Sequence, residues 1–315
     1  MSGGKVTNRV RAVLWGADEQ RLRATWRFLL AWPLLPLVGV LVGLVMPVLG
    51  VSGMIPGGPL QGVIFLGLLV VWARLVDRRP VSDYGVSATR SWLVNLFIGF
   101  TVVLAVWSSW HALAASLGWT RIELSLTAPR GSILVGLVGT MVSLAINSLV
   151  QDLVFFAIVL QSAAEGFRSR GLDPRRAVIG GWLVGILFFT VIHGMPGPVD
   201  VLAHAVGGAV FGALYVHTDN LALTVGVHWG SSWAAGHLFA GSAMATQFPS
   251  LFEVTTLQQG IRGLWVSIPL YLVTYLVLAG WIRWRRGDLT IETDVSEWVK
   301  REGEMVGTDG RPVES

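Results

Sequence analysis

Ionisable residues are scarce in the apolar segments of this chain, so the few that occur there are the first candidates for chemistry. Asp152 lies in an apolar run beside Gln151, His193 ends a second run, and His228 lies within a third. A charged group in hydrocarbon is costly and generally faces a cavity or a partner. One carboxylate and two imidazoles can activate water, bind a divalent metal such as zinc, or relay protons.

The other histidines carry weaker signals. His204 lies in an apolar run of its own and is a reserve member of the group. His111 and His237 lie near the ends of apolar runs, where water or lipid headgroups can satisfy an imidazole. His217 precedes the polar sequence Thr218-Asp219-Asn220, which predicts a solvated turn. Only His204 is therefore kept beside the first three residues.

The composition indicates that these residues belong to a membrane protein. The 315-residue chain is 53% hydrophobic and only 13% charged, whereas a globular domain carries about 25% charged residues. Its mean hydropathy is +0.63. The absence of cysteine excludes a disulfide scaffold, a zinc ribbon and a cysteine nucleophile. The net charge of +4 does not indicate nucleic-acid binding, because the arginines alternate with apolar blocks.

Eight apolar blocks are long enough to be membrane spans, since about 20 apolar residues cross a bilayer. They lie at about 26–49, 60–76, 92–117, 131–163, 177–193, 199–216, 221–240 and 263–284. The sequence therefore predicts an all-α, polytopic membrane protein of about eight transmembrane helices. An even number of spans places both termini on one side of the membrane.

The distribution of basic residues predicts which side that is. With a cytoplasmic N-terminus, 20 of the 23 Lys and Arg residues fall in cytoplasmic segments, and only Arg121, Arg130 and Arg262 fall outside. Cytoplasmic loops are enriched in Lys and Arg. We therefore expect a multi-pass protein of the cell membrane, surrounded by membrane lipid, with both termini cytoplasmic.

Short motifs around the candidate residues resemble those of one family. Phe189-Thr190-Val191-Ile192-His193 resembles an FxxxH motif, and the turn at 218–221 followed by His228-Trp229-Gly230-Ser231-Ser232 resembles a turn and an HxxxN motif. Both are typical of the CPBP family, the CAAX-protease and bacteriocin-processing membrane proteins. The small-residue segment 207–215 lies between them as in that family. The resemblance covers roughly Ile133–Gly236, with weaker support from about Asp83.

The resemblance implies a set of site residues, although this chain departs from the family pattern. The family's EExxxR motif aligns with Gln151 and Asp152 in place of the glutamates and Phe156 in place of the arginine, while Ser232 replaces the final Asn. In the family, the glutamates are taken to activate water and the two histidines to assist. The implied catalytic group is listed here in full: Asp152, His193 and His228, oriented by Gln151 and Ser232.

The same resemblance implies some dependent expectations. A metal, if the site holds one, would be bound by Asp152, His193 and His228, with zinc as the candidate; no other cofactor is implied. Restoring the motif by Gln151→Glu, Asp152→Glu and Phe156→Arg together is expected to raise activity.

Three functions are compatible with the sequence. The first is a CPBP-type intramembrane endopeptidase that cleaves a membrane-associated peptide or membrane protein, with Asp152 as the base. The second is a catalytically inactive family member that acts as a membrane binding or scaffold protein, since both glutamates and the arginine are replaced. The third is a proton-coupled transporter, which is disfavoured because the spans show no inverted repeat.

The depth of the candidate residues in straight helices conflicts with a shared site. At ~1.5 Å per residue, Asp152 and His228 fall in the cytoplasmic half and His193 near the outer face. We still expect the three to converge on one polar cavity, which requires a bent, tilted or re-entrant element. The segment 194–198 could supply one.

The sequence divides the chain into five segments. They are a basic cytoplasmic segment at 1–25, N-terminal transmembrane helices at 26–130, a CPBP-like core at 131–240, the last transmembrane helix at 241–286, and a disordered cytoplasmic tail at 287–315.

Overall fold

The structure, a computed structural model, describes residues 13–16, 21–48, 59–128, 131–194, 197–257 and 263–298. Helices make up most of this part of the chain. The helices are α1 Ala24–Ala31, α2 Leu34–Val48, α3 Pro59–Val71, α4 Arg90–Ser116, α5 Ile133–Asp152, α6 Leu160–Arg168, α7 Pro174–Ile192, α8 Pro198–Val216, α9 Ala222–Trp233, α10 Ser242–Ala245 and α11 Gly263–Arg286. The strands are β1 Thr120–Thr127, β2 Phe239–Gly241 and β3 Ser250–Thr256.

Three segments with π-helical geometry extend neighbouring helices. They are Trp72–Asp77 after α3, Leu153–Val159 between α5 and α6, and Ala234–Leu238 after α9. Two short 3₁₀ turns, Val81–Tyr84 and Thr293–Ser296, complete the helical structure of the described residues.

Six helices of the described residues are long and apolar enough to cross a membrane. They are Ala24–Val45, Arg90–Ser116, Ile133–Arg168, Pro174–Ile192, Pro198–Val216 and Val266–Arg286. The other two predicted spans correspond to the shorter helical segments 59–77 and 222–238. A polytopic helical membrane fold is therefore confirmed, while a total of eight spans stays a prediction.

A small sheet joins two of the connections between spans. Its strand order is β1-β3-β2, with β1 antiparallel and β2 parallel to β3, and Thr120 lies opposite Thr256. The prediction of an all-α protein did not include this sheet. Both connections lie on the side that the arginine distribution predicts to be external.

Close contact between α4 and α9 depends on glycine. A Cβ atom at Gly99 would lie 2.6 Å from the Leu223 carbonyl oxygen, and one at Gly226 would collide with the Leu96 carbonyl oxygen. Small residues let helix backbones approach closely where lipid provides no hydrophobic driving force. This packing holds α9, which carries His228, against α4.

One helical run is much longer than the membrane is thick. Helix α5, the π-helical segment and α6 form a continuous run of 36 residues, Ile133–Arg168, which extends ~54 Å at ~1.5 Å per residue. The hydrocarbon core is only ~30 Å thick. The run then reverses through residues 169–173, and the Asp173 side chain caps α7 by accepting from the Arg176 backbone N–H. The hairpin of α6 and α7 therefore extends beyond the hydrocarbon core.

Five charged residues form a buried group that we call the arginine cluster: Arg21, Arg27, Asp77, Arg79 and Glu165. Glu165 accepts from Arg21 at 2.7 Å, from Arg27 at 2.5 Å and from Arg79. Arg27 also pairs with Asp77 at 2.8 Å. Arg79 lies 3.8 Å from the other oxygen of Asp77, so both carboxylates of the cluster have arginine partners. The cluster ties the N-terminal segment to α6.

The C-terminal segment after α11 is ordered over its first dozen residues. The Glu292 backbone N–H donates to the Val216 carbonyl at 2.8 Å, and Val295 is buried. The predicted disordered tail at 287–315 is thus wrong for residues 287–298, because this stretch packs against the end of α8. Residues 299–315 lie outside the described part of the chain, as do residues 1–12 and 17–20 of the predicted N-terminal segment.

Candidate functional site

Asp152 and His228 form a hydrogen-bonded pair in the interior of the helical bundle. Asp152 is the last residue of α5 and is fully buried. Its Oδ1 accepts from the Nδ1–H of His228 at 2.9 Å. Its Oδ2 has no hydrogen-bond partner among the described residues. His228 is therefore the hydrogen-bond partner of this carboxylate.

A polar cavity of about 260 Å³ lies against the His228 ring. Helices α5, α7, α8, α9 and α11 all contribute to its wall. The lining residues are Asn147, Gln151, Phe189, His193, Ala203, His204, Gly207, Phe211, His228, Ser232, Ser267 and Tyr271. Four of the five predicted site residues line this cavity, and the fifth, Asp152, lies behind His228.

Backbone contacts set the tautomers of the two other histidines in the cavity wall. His193 Nδ1 lies 2.6 Å from the Phe189 carbonyl, and His204 Nδ1 lies 2.9 Å from the Asp200 carbonyl. Since a carbonyl only accepts, each Nδ1 carries the hydrogen of its hydrogen bond. The two rings are 5.0 Å apart. His204, the reserve candidate, thus belongs to the same wall as His193.

The hairpin of α6 and α7 explains how His193 reaches the depth of Asp152. Asp152 lies 16 residues before the end of α6 and His193 lies 19 residues after the start of α7. These separations correspond to ~24 and ~28 Å along the two helices. Both residues are therefore at nearly the same height above the turn at 169–173. The depth estimated from straight spans was wrong because it was measured from the membrane boundary. In the structure, the turn at 169–173 is the point from which both helices start.

The proposed re-entrant segment at 194–198 is not needed for this convergence. Residues 195 and 196 lie outside the described part of the chain, and α8 begins at Pro198.

Three polar lining residues were missed by the sequence interpretation. Asn147 lies four residues before Gln151 on α5, and Ser267 and Tyr271 are four residues apart on α11. Residues with this spacing share one face of a helix. A search for polar pairs at this spacing in apolar spans would have found both pairs.

Phe156, which aligns with the arginine of the family motif, is fully buried in an aromatic group. Its ring lies 6.1 Å from Phe189 and 6.5 Å from Phe211, and a Cβ at Gly212 would lie 3.3 Å from it. The position that carries a cation in the family is therefore part of the apolar core here.

The predicted metal ligands do not fit a metal site. Within the described residues, no group of three or more His, Cys, Asp or Glu side chains could hold a metal ion. Asp152 and the Nδ1 of His228 already bind each other.

Comparison with known proteins agrees with this assembly of motifs. Residues 133–234 match the family model described as "Type II CAAX prenyl endopeptidase Rce1-like". This match confirms the resemblance to the CPBP family over that segment, which contains all five predicted site residues. It ends before Ser267 and Tyr271 of the cavity wall. No curated protein and no solved structure matches the chain.

Proposed function

We propose that the chain is an intramembrane endopeptidase of CAAX-protease type, with His228 and not Asp152 as the general base. The observation that carries this proposal is the 2.9 Å hydrogen bond from His228 to the buried Asp152, combined with the position of His228 in the cavity wall. A carboxylate behind an imidazole fixes its tautomer and stabilises the imidazolium that forms on proton uptake. Asp152 is thus a positioning residue.

The proposed reaction is hydrolysis of a peptide bond in the cavity. His228 Nε2 removes a proton from water while the water oxygen attacks the scissile carbonyl carbon. The carbon–nitrogen bond then breaks, and the imidazolium returns the proton to the leaving amine. The NH₂ group of the Gln151 amide, in the cavity wall, is a donor for the developing oxyanion. The Tyr271 hydroxyl, also in the wall, donates to the Ser231 hydroxyl oxygen at 3.4 Å.

The proposed substrate follows from the family match, and the proposed setting follows from the apolar spans and the arginine distribution. A membrane-associated peptide or a membrane protein would enter between the helices, and membrane lipid surrounds the protein. We place it in the cell membrane with both termini cytoplasmic, on the basis of the arginine distribution.

One observation favours a second candidate function, a binding protein that holds a membrane peptide without cutting it. None of the described residues that line the cavity carries a carboxylate, whereas the family motif has two glutamates. Gln151 keeps a hydrogen-bonding amide there but cannot act as a base.

The Asp152→Asn variant tests the proposed function. Asparagine can still accept from His228 but carries no charge, so kcat should fall by up to ~10⁴-fold, the scale for an equivalent change in a Ser-His-Asp triad, while KM stays within about twofold. Cleavage of a membrane peptide by the purified protein in proteoliposomes is the measurement. Asp288→Asn, which changes an exposed carboxylate outside the spans, is the matched control.

Two outcomes would contradict the endopeptidase. Unchanged turnover in Asp152→Asn would remove the pair from the mechanism. Absence of cleavage by the wild-type protein, with tight peptide binding that Asp152→Asn leaves intact, would favour the binding protein.

A further inference from the structure

A second polar cavity, of about 220 Å³, lies at the end of the bundle where α4 begins and α11 ends. Ser91 and Asn95 of α4 line one side of it, and Asn220, in the turn between α8 and α9, lines another. Arg285 and Arg286 of α11 complete the wall. None of these residues lines the cavity beside His228, so this is a separate site.

The two arginines of this cavity have different surroundings. Arg286 is held in place, because it donates to the His217 carbonyl at 3.0 Å and the Thr218 carbonyl at 2.8 Å and pairs with Glu292. Arg285 lies 5.7 Å from the centre of the Trp281 ring. Among the described residues, no carboxylate lies within ion-pair distance of Arg285. The cavity therefore contains one guanidinium whose charge is not neutralised by an acidic partner.

Hydrogen-bond donors accompany that charge. Ser91 and Asn95 are one helical turn apart at the start of α4, where backbone N–H groups and the helix dipole favour an anion. The Asn220 side-chain oxygen accepts from the Ala222 backbone N–H at 2.8 Å, so its amide NH₂ group remains as a donor. Hydroxyl, amide and guanidinium donors together suit the oxygens of a phosphate.

The surroundings of the cavity resemble the boundary between lipid and water. Trp284 is 73% exposed and its ring lies 5.1 Å from that of Trp281. The last turn of α11 carries Arg283, Arg285 and Arg286. Tryptophan is enriched at membrane interfaces, and basic residues close to a span attract anionic lipids of the cytoplasmic leaflet.

We infer that this cavity binds the phosphodiester headgroup of an anionic phospholipid. The phosphate would lie against Arg285, Ser91 and Asn95, and the glycerol and the start of the acyl chains would pack on Trp281. This site is independent of the proposed peptidase chemistry.

Native mass spectrometry of the full-length protein in detergent tests the inference. Phosphatidylglycerol and phosphatidylcholine with the same acyl chains are titrated separately, and we expect phosphatidylglycerol to bind at least about fivefold more tightly, the scale for one basic residue near a lipid surface. Arg285→Gln should remove that preference. Ser91→Trp should remove it too, by filling the cavity without a change of charge. Arg283→Gln changes an exposed arginine of the same helical turn that does not line the cavity. This variant should keep the preference for phosphatidylglycerol.

Three results would overturn the inference. Equal binding of the two lipids by the wild-type protein would exclude an anionic headgroup. An equal loss in Arg283→Gln would indicate diffuse surface charge and not a cavity. Displacement of phosphatidylglycerol by millimolar inorganic phosphate, with direct phosphate binding that Ser91→Trp abolishes, would identify free phosphate as the ligand. Thermal unfolding in the same detergent verifies that each variant is folded.

Discussion

Asp152 is separated from the cavity by the His228 ring, and this separation determines what its carboxylate can do. A fully buried carboxylate that contacts an imidazole cannot reach a water molecule in the cavity without displacing that ring. In the proposed reaction, a negative charge on Asp152 would stabilise the imidazolium that forms on His228, because the local dielectric is low and screening is weak. The replacement of glutamate by the shorter aspartate is compatible with this arrangement.

Phe156→Arg tests whether this protein can accommodate the arginine of the family's EExxxR motif. The sequence favours the triple variant Gln151→Glu, Asp152→Glu and Phe156→Arg as more active, but the structure predicts that Phe156→Arg destabilises the protein. A guanidinium at this fully buried position would pay several kcal/mol of desolvation. We expect a lower midpoint of thermal unfolding in detergent for the single and the triple variant.

The double variant Gln151→Glu with Asp152→Glu is the matched control for the triple variant. A triple variant that is as stable as the wild type and more active would show that the arginine position of the family motif is still functional here.

Motif spacing predicted several of the residues that line the cavity but not the arrangement of Asp152. Motif spacing located Gln151, His193, His228 and Ser232, and all four line the cavity. Motif spacing alone did not predict that Asp152 would be hydrogen-bonded to His228 and absent from the cavity lining. Tyr271 was missed because it lies in the last span, beyond the motifs.

At the scale of secondary-structure elements, the contact between α4 and α9 holds His228 in register with α5. Gly226 and Gly99 allow the two backbones to touch, and the Trp229 indole donates to the Met141 carbonyl of α5 at 2.9 Å. Helix α9 is thus fixed from both sides, one residue from His228.

Gly226→Ala should separate α4 from α9. An added methyl group would collide with the Leu96 carbonyl, and overpacking of this kind costs about 1–3 kcal/mol. Thermal unfolding in detergent should show a lower midpoint. Gly67→Ala, where a Cβ meets nothing within 4 Å, should be neutral or slightly stabilising, because alanine favours helix. Equal effects of the two substitutions would contradict the close contact.

Glu165→Gln, in the arginine cluster, should lower the free energy of unfolding more than Glu123→Gln, at an exposed position in strand β1. It removes the carboxylate that pairs with Arg21, Arg27 and Arg79, and the loss of one partner of a buried ion pair costs about 3–5 kcal/mol. Glu123→Gln, whose side chain is 66% exposed beside Arg121, should change stability by less than about 1 kcal/mol. Chemical denaturation in mixed micelles can compare the stabilities of the two variants. Similar losses of unfolding free energy in both would show that the cluster contributes little to stability.

At the scale of the whole molecule, the α6–α7 hairpin and the sheet occupy opposite predicted sides of the membrane. Two exposed glycines with left-handed backbone, Gly118 (φ +69°) and Gly171 (φ +91°), mark turns at the two ends. The left-handed region favours glycine, so both turns are specified locally.

Reporter fusions at these turns test the orientation. A reporter inserted at Gly171 should read cytoplasmic and one at Gly118 external, because four arginines lie within five residues of Gly171 and only Arg121 lies within five residues of Gly118. Alkaline phosphatase and green fluorescent protein at each position give opposite readouts. An external reading at Gly171 would reverse the predicted topology.

The arginine cluster also has a consequence for biosynthesis. Arg27 leaves the ribosome 138 residues ahead of Glu165, its partner, which at ~5–20 residues per second is a delay on the order of ten seconds. Asp77 emerges 50 residues after Arg27, so until Glu165 follows, the cluster has one carboxylate for its three arginines. On the predicted topology, the same arginines would first favour a cytoplasmic N-terminus and would become part of the protein interior only when Glu165 pairs with them.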